Sequence, residues 1–422
     1  MFDLDNWQEI WATITRNKLR SFLTGFGVFW GLFMLIILMG VGNGLQGGIG
    51  SAFDGFNVNS CLFYTSRTSE AYKGYRKGRS WTMNSRDIQL LRQNAQSIEF
   101  ISPMLFGNRT ENNIVRGRKA GTYSSQGILP DFFGISQMEI VYGREINSID
   151  VDNRRKVCLI GMEVYETLFD KEENPLGEYI RLNGIYFQVV GVMRSMSSNF
   201  NIGSDPKQTV YIPFSTMQQT FIRGDRFWNL ICTAKPGYPA SVVEQEVKNI
   251  VRAAHDISPT DEIALGSWNM EEQFKQFQGL FAGINIVVWF VGLSALLSGI
   301  IGISNIMLVT VRERTREIGV RRALGAKPSV IIRQIMSESL VLTSIAGLLG
   351  FIVAVGILIL ITQLMSFMPS DGGGVSAFGA PLISFKLALG AMGILILSGA
   401  VAGLMPAIKA LQIKAIDAIR DE

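Results

Sequence analysis

Histidine occurs once and cysteine three times in this chain of 422 residues, and charged side chains make up only 18% of it. One histidine and so few thiols leave no recurring His/Cys spacing for a metal site. An odd cysteine count allows at most one disulfide within the chain. The dipeptide Gly-Lys is absent, so the phosphate-cradling loop G-x-x-x-x-G-K-[ST] cannot form. Lysine and arginine number 39 against 35 acidic residues, too mild an excess to point to nucleic acid. A soluble globular chain carries about 25% charged residues. With 48% hydrophobic residues in their place, this chain is not wholly soluble.

Four uncharged stretches account for the missing charge. They run from Ser21 to Phe53 (apolar heart Phe22–Val41), from Gln276 to Val311, between Glu338 and Asp371, and between Lys386 and Lys409. A helix needs about 20 apolar residues to cross a hydrocarbon core about 30 Å thick. The second stretch makes roughly 54 Å of helix at about 1.5 Å per residue, more than a bilayer requires. Its Gln276–Ala282 end is expected to project as a stalk. The expected organisation is a cytoplasmic amphipathic helix at 1–20, with Leu4, Trp7, Trp11 and Ile14 on one face, and spans at 21–44, 280–311, 333–365 and 385–408. Between them lie an external domain at 45–279, a loop at 312–332, an outer loop at 366–384 and a tail at 409–422.

Orientation follows from the basic flanks. Arg16, Lys18 and Arg20 precede the first span, and Lys409, Lys414 and Arg420 follow the last. The loop after the second span holds Arg312, Arg314, Arg316, Arg321, Arg322, Lys327 and Arg333 against Glu313 and Glu317. Both termini and this loop are therefore expected in the cytoplasm, with Ser366–Ser384 outside.

The external domain reads as mixed α+β, so the fold class is an α-helical membrane protein of four transmembrane helices with a large α+β domain between the first and second. Lys156–Gly161 is expected to be a strand. Glu178–Leu182 and Ile185–Val192 flank Asn183-Gly184, the strongest short hairpin signal. Val243, Val247, Ile250, Val251 and Ala254 recur at helical spacing and predict an amphipathic helix. Asp131–Gly134 and Asn174–Gly177 are turn-like. Nothing in this domain reads as catalytic. His255 is expected at the surface at a helix end, Cys158 and Cys232 as buried free thiols in strands, and the basic run Lys73–Arg79 as a solvated loop.

The span centres hold no ionisable residue, which argues against an ion-coupled transporter or a polar channel. Small residues are instead placed for helix contact: Gly27-x-x-x-Gly31 in the first span and Gly399-x-x-x-Gly403 in the fourth. The first pair is expected to pack helices or to join two copies. The informative segment is Val311–Ala326. As one helix it sets Arg312 four residues from Arg316, and Glu313 four from Glu317, like charges that cost a few tenths of a kcal/mol per pair. Gly325 is expected to end it and Pro328 to open the next helix. A positive flank explains the arginines but not Glu313, Glu317, Ile318, Val320 and Leu324; a docking site for a cytoplasmic partner explains them all.

The run NIMLVTVRERTREIGVRRALGAK from Asn305 to Lys327 resembles the signature of MacB/FtsX-type ABC transporter permeases, and of their MacB branch in particular. Pro406-Ala-Ile-Lys-Ala410, Asn17-Lys-Leu-Arg-Ser-Phe-Leu-Thr24, Asp131-Phe-Phe-Gly134, Tyr142-Gly-Arg144 and Tyr211-Ile-Pro-Phe214 are similar to the family's pattern elsewhere. The resemblance implies a periplasmic domain with a porter-like core (45–103 and 210–279) and an inserted subdomain (104–209), in a bacterial inner membrane. It implies a dimer with a second copy or a paralogue, and ATP-binding subunits that bind the ATP and magnesium. Those subunits would dock on Arg312, Glu313, Arg314, Thr315, Arg316, Glu317, Ile318, Arg321, Arg322, Leu324, Gly325 and Ala326: Glu313, Arg314, Arg316 and Glu317 by charge, Ile318 and Leu324 by apolar contact. Only about 20 residues precede the first span, so the ATPase is expected on a separate chain. Family members drive substrates outward, often through a periplasmic adaptor and a TolC-like outer-membrane channel. Some FtsX-type relatives export nothing and instead regulate a cell-wall hydrolase or a peptide-sensing system.

Overall fold

The computed structural model describes residues 18–52, 57–107, 110–111, 113–195, 203–222, 224–367 and 385–412. The expected amphipathic segment up to residue 17, the loop at 368–384 and the tail beyond 412 lie outside the described residues. The longer helices are α1 Lys18–Ala52, α2 Ser85–Asn94, α3 Ala240–Ala254, α4 Met270–Glu313, α5 Thr315–Ala323, α6 Pro328–Phe367 and α7 Phe385–Leu411. The chain divides into a helical unit, Met1–Ile49 with Leu280–Glu422, and an α/β unit, Gly50–Gly279.

In the helical unit, α1, α4, α6 and α7 are each long and apolar enough to cross a membrane. The second span is one unbroken helix through Gly283 and begins at Met270. At about 1.5 Å per residue it measures roughly 66 Å, about twice the thickness of a bilayer core. The glycines predicted to mediate contact do so within the chain. A Cβ on Gly27 would stand 2.9 Å from the Gly299 Cα, and one on Gly31 would stand 2.9 Å from the Leu296 backbone nitrogen. The face expected to meet a second copy is therefore occupied by α4, whose Gly299 opens the space from the other side. Gly399 and Gly403 receive α6: a Cβ on either would sit 3.0 to 3.2 Å from Leu340, Thr343, Ser339 or Met336. The Ser339 hydroxyl donates to the Gly399 carbonyl at 2.9 Å. Small residues thus exchange side-chain volume for backbone proximity, the available source of helix attraction where lipid is as apolar as leucine.

The strands of the α/β unit are β1 Ser60–Thr65, β2 Ile98–Phe106, β3 Ile114–Arg116, β4 Lys119–Gly121, β5 Ser124–Ile128, β6 Met138–Gly143, β7 Val157–Gly161, β8 Tyr179–Leu182, β9 Ile185–Ser195, β10 Thr209–Pro213, β11 Asn229–Ala234 and β12 Leu265–Asn269. They follow the order β12-β1-β11-β2-β5-β10-β7-β9-β8-β3-β4, with β6 on β9. The strand β2 joins two halves, because Ile98–Met104 pairs with β11 while Leu105 and Phe106 pair with β5. The first half is antiparallel, and α3 lies on it through Val243, Val247 and Val251, all buried. Ala254, expected on that stripe, is exposed because the helix has ended at its last turn. The second half is mixed: β10 runs parallel to β5 and antiparallel to β7. This half therefore extends beyond Thr209, where the insert was expected to close. Asn183 and Gly184 take φ of +47° and +87° in the two-residue turn between β8 and β9, the left-handed pair that matches strand twist. Asp131–Gly134, expected as a turn, leads instead into the short helix Phe132–Ile135.

Cys61, Cys158 and Cys232 are buried and free. Cys61 stands opposite Cys232 in the β1–β11 register. The Thr65 N–H donates to Trp228 O and the Ala234 N–H to Asn59 O, so alternation makes Cys61–Cys232 a hydrogen-bonded pair. Such pairs hold side chains farther apart than their neighbours, which suits packing better than cross-linking. Burial pushes all three thiols up. His255 is not the surface histidine expected: its Nε2 lies 2.8 Å from Asp87 Oδ2 and its ring packs 4.8 Å from that of Trp81. The basic run is a tight hairpin in which Lys73 pairs with Asp256 at 2.8 Å and Arg79 stacks 4.0 Å over Tyr75.

Two measurements check these contacts. Gly299→Leu places a side chain against immovable backbone and lowers stability by about 1–3 kcal/mol, the usual cost of overpacking. Gly302→Leu, where a Cβ meets nothing within 4 Å, leaves the unfolding temperature in detergent within error of wild type; equal loss in both variants would contradict the packing. In the α/β unit, hydrogen bonds from Arg116 and from the Asp170 N–H bring the Glu173 pKa from 4.5 to about 2. The stabilisation is full above pH 4.5 and drains as the pH falls toward about 2. Glu173→Gln therefore flattens the loss of stability over that range in an acid titration of the full chain. A slope equal to wild type would refute it.

Candidate functional site

The segment between the second and third spans is built from two helices rather than one. The helix α4 ends at Glu313, and Arg314 takes φ −97° and ψ 11° before α5 begins. The chain still hydrogen-bonds across the break, from Arg314 N to Thr310 O and from Ile318 N to Arg314 O, both at 3.0 Å. The break falls between the members of both like-charge pairs, 312/316 and 313/317, so their full helical repulsion is not imposed. At the far end Gly325 adopts φ +91° and donates to Arg322 O at 3.1 Å, while Ala326 donates to Arg321 O at 3.0 Å. This is the left-handed close that glycine favours. Pro328 then opens α6, where its missing N–H costs nothing.

The basic residues of this segment separate into two sets. Three of them tie α5 down. Arg314 Nη1 contacts Glu338 Oε1 of α6 at 3.0 Å, and Arg314 also reaches Glu317 at 3.9 Å. Arg321 pairs with Glu317 at 2.8 Å and donates from Nη1 to Gln334 Oε1 at 2.8 Å. Arg322 Nη1 donates to the Leu411 carbonyl at the end of α7, also at 2.8 Å. Ile318 is buried in the helical core with Val311, Ile331 and Ile335, and Gly319 beside it is buried too. The other set faces outward. Arg316, Val320 and Leu324 follow one another at four-residue spacing and are exposed, Leu324 to 83%. Arg312, Glu313 and Gly325 are also exposed, Thr315 is half-buried with its hydroxyl on Arg312 O at 2.7 Å, and Ala326 is half-buried.

Of the residues expected to dock by charge or apolar contact, Glu313, Arg316 and Leu324 are exposed, while Arg314, Glu317 and Ile318 make contacts within the chain. Arg314, Glu317, Arg321, Arg322 and Ile318 are engaged by the chain's own helices. The outer face of α5 presents Arg316, Val320 and Leu324. Sequence reasoning passed over Glu338, Gln334 and the Leu411 carbonyl. The signal for Glu338 was present: an acid leading an apolar helix, beside a surplus of arginine, needs a cation when buried.

Residues 21–250 match the MacB-like periplasmic core domain family and residues 289–415 match the FtsX-like permease C-terminal family. The chain is 28% identical to the ABC transporter permease YknZ of Bacillus subtilis (strain 168), covering 99% of each. It is 24% identical to the macrolide export ATP-binding/permease protein MacB of Syntrophobacter fumaroxidans, over 97% of this chain and 63% of that one. It is 26% identical to the pyoverdine export ATP-binding/permease protein PvdT of Pseudomonas syringae pv. syringae, over 99% and 58%. The chain thus spans about three fifths of the length of those two relatives. The periplasmic region of MacB from Actinobacillus actinomycetemcomitans aligns with 54% of this chain and 95% of its own, at 18% identity and a TM-score of 0.43. With its α/β domain between the first two of four apolar helices and both family matches in that order, the chain belongs to the MacB/FtsX-like family of ABC transporter permeases, which work with an ATP-binding subunit.

Proposed function

We propose that the chain is the permease subunit of a MacB-type transporter, engaged at α5 by a separate ATP-binding subunit on the cytoplasmic side of a bacterial inner membrane. In this reading both termini are cytoplasmic and the α/β domain is periplasmic. Nucleotide-driven movement of the partner passes from α5 to the long helix α4 and through it to the periplasmic domain, which expels a substrate from the periplasm or the membrane. The chain carries no part of ATP hydrolysis; ATP and magnesium belong to the partner. A second copy or a paralogue, a periplasmic adaptor and a TolC-like channel complete the assembly on this reading.

One observation carries it. Arg316, Val320 and Leu324 form an exposed stripe on a helix whose opposite face is fixed to the permease. An arginine beside apolar side chains is the composition of interface anchors. A docked helix must be held from behind if a push on it is to travel further. The YknZ relative, matched end to end and described as a permease, supports the separate engine.

The double variant Arg316→Glu with Leu324→Glu leaves the chain folded and membrane-inserted. It lowers affinity for the co-expressed ATP-binding subunit at least tenfold and removes stimulation of its ATPase. Undiminished co-purification and stimulation would overturn the assignment. Substrate efflux that follows ATPase activity favours export; stimulation with no efflux of any tested compound, but with altered activity of a cell-wall hydrolase, favours the regulatory role known in FtsX-type relatives.

A further inference from the structure

We propose that the Arg314–Glu338 contact is the joint that makes α5 and α6 move as one body, so that both are positioning residues for transmission. The inference rests on α5 being the docking element, and it concerns the inner face of that helix where the docking reading concerns the outer.

The backbone alone would make this a poor relay. The helix α4 stops at Glu313, and Arg314 departs from helical geometry. Main-chain hydrogen bonds from Arg314 N to Thr310 O and from Ile318 N to Arg314 O span the break, but two such bonds leave the angle between the helices soft, and a soft angle absorbs displacement. Ile318 packs among Val311, Ile331 and Ile335 at this junction, but apolar contact is non-directional, and a small cleft lined in part by Arg314, Glu317, Gln334 and Glu338 lies beside it. Across that cleft runs a chain of polar contacts: Glu338 to Arg314 at 3.0 Å, Arg314 to Glu317 at 3.9 Å, Glu317 to Arg321 at 2.8 Å, and Arg321 to Gln334 at 2.8 Å. Gln334 and Glu338 are one helical turn apart on α6, so the contacts begin and end on the same face of that helix. Two separated points fix both position and rotation, as one contact does not.

Burial decides what the ion pair is for. Glu338 is only 8% exposed. A buried ion pair adds little net stability over apolar residues of similar volume, because desolvation offsets the attraction. Misalignment, however, strands a charge where water does not reach it, at a steep cost. The pair therefore selects one geometry more than it deepens the fold. A purely structural role predicts that apolar replacement works as well; a positioning role predicts that it does not.

The test uses the full chain in lipid nanodiscs, with spin labels at Ala323→Cys on α5 and Arg333→Cys on α6. The wild-type background gives one narrow distance distribution. Arg314→Met with Glu338→Met keeps the unfolding temperature at or above wild type, yet broadens that distribution at least twofold. Without the labels, the same variant binds the co-expressed ATP-binding subunit within twofold of wild type but loses at least tenfold in ATPase stimulation. Glu338→Gln alone broadens the distribution as well and lowers the unfolding temperature. A Met/Met variant with a narrow distribution or full stimulation would overturn the proposal while leaving the docking stripe intact. Loss of docking itself is read separately, from the Arg316 and Leu324 variant.

Discussion

No charge sits in the lipid-spanning centre of any of the four helices, so the contacts between them rest on apolar packing and close backbone approach. A proton relay or an ion path needs ionisable groups at depth, and their cost in hydrocarbon makes them conspicuous when present. Backbone proximity takes their place. Gly27, Gly31 and Gly299 bring α1 and α4 within contact of main-chain atoms, and Gly399 and Gly403 let side chains of α6 press against the backbone of α7. Helices packed this closely slide or tilt as units rather than deform side chain by side chain. That property suits a transmission element.

Charge reappears where the spans end, and there it has two jobs on two faces of one short helix. Arg314, Arg321 and Arg322 spend their hydrogen bonds on Glu338, Glu317, Gln334 and the Leu411 carbonyl. Arg316 faces outward with Val320 and Leu324. The exposed face of α5 is thus backed by a face tied to α6 and α7. Among the described residues of the α/β unit the charges serve the sheet itself. Its ion pairs, such as Arg116 with Glu173 and Arg144 with Asp150, brace loops of the same sheet, and its thiols and single histidine are absorbed into packing.

Features encoded within a few residues were legible in the sequence. Apolar runs located the spans, Asn183-Gly184 announced its hairpin, and Gly325 with Pro328 marked the turn between α5 and α6, because in each case the physical cause lies in adjacent backbone. The resemblance carried by Asn305–Lys327 agrees with the family match over residues 289–415. What stayed hidden depends on distant partners. Nothing in Val311–Ala326 distinguishes an arginine that will meet Glu338 from one that will meet solvent, and the break at Arg314 interrupts a stretch whose local propensity is helical. The partner of the Gly27–Gly31 face was equally invisible: a small-residue stripe states that something approaches closely, without saying that it is α4 of the same chain. The continuity of the two half-sheets through β2 likewise rests on pairings between strands more than 100 residues apart, such as Met104 with Asn229.

Docking of an ATP-binding subunit on α5 requires that helix on the side of the membrane where nucleotide is available. An Arg316→Cys variant, probed in intact cells with a membrane-impermeant maleimide, measures this directly, since the three native cysteines are buried. A cytoplasmic α5 gives no labelling until the cells are permeabilised, and rapid labelling afterwards. Modification of Cys at 316 in unbroken cells would put the stripe outside and contradict a nucleotide-driven stroke delivered through it.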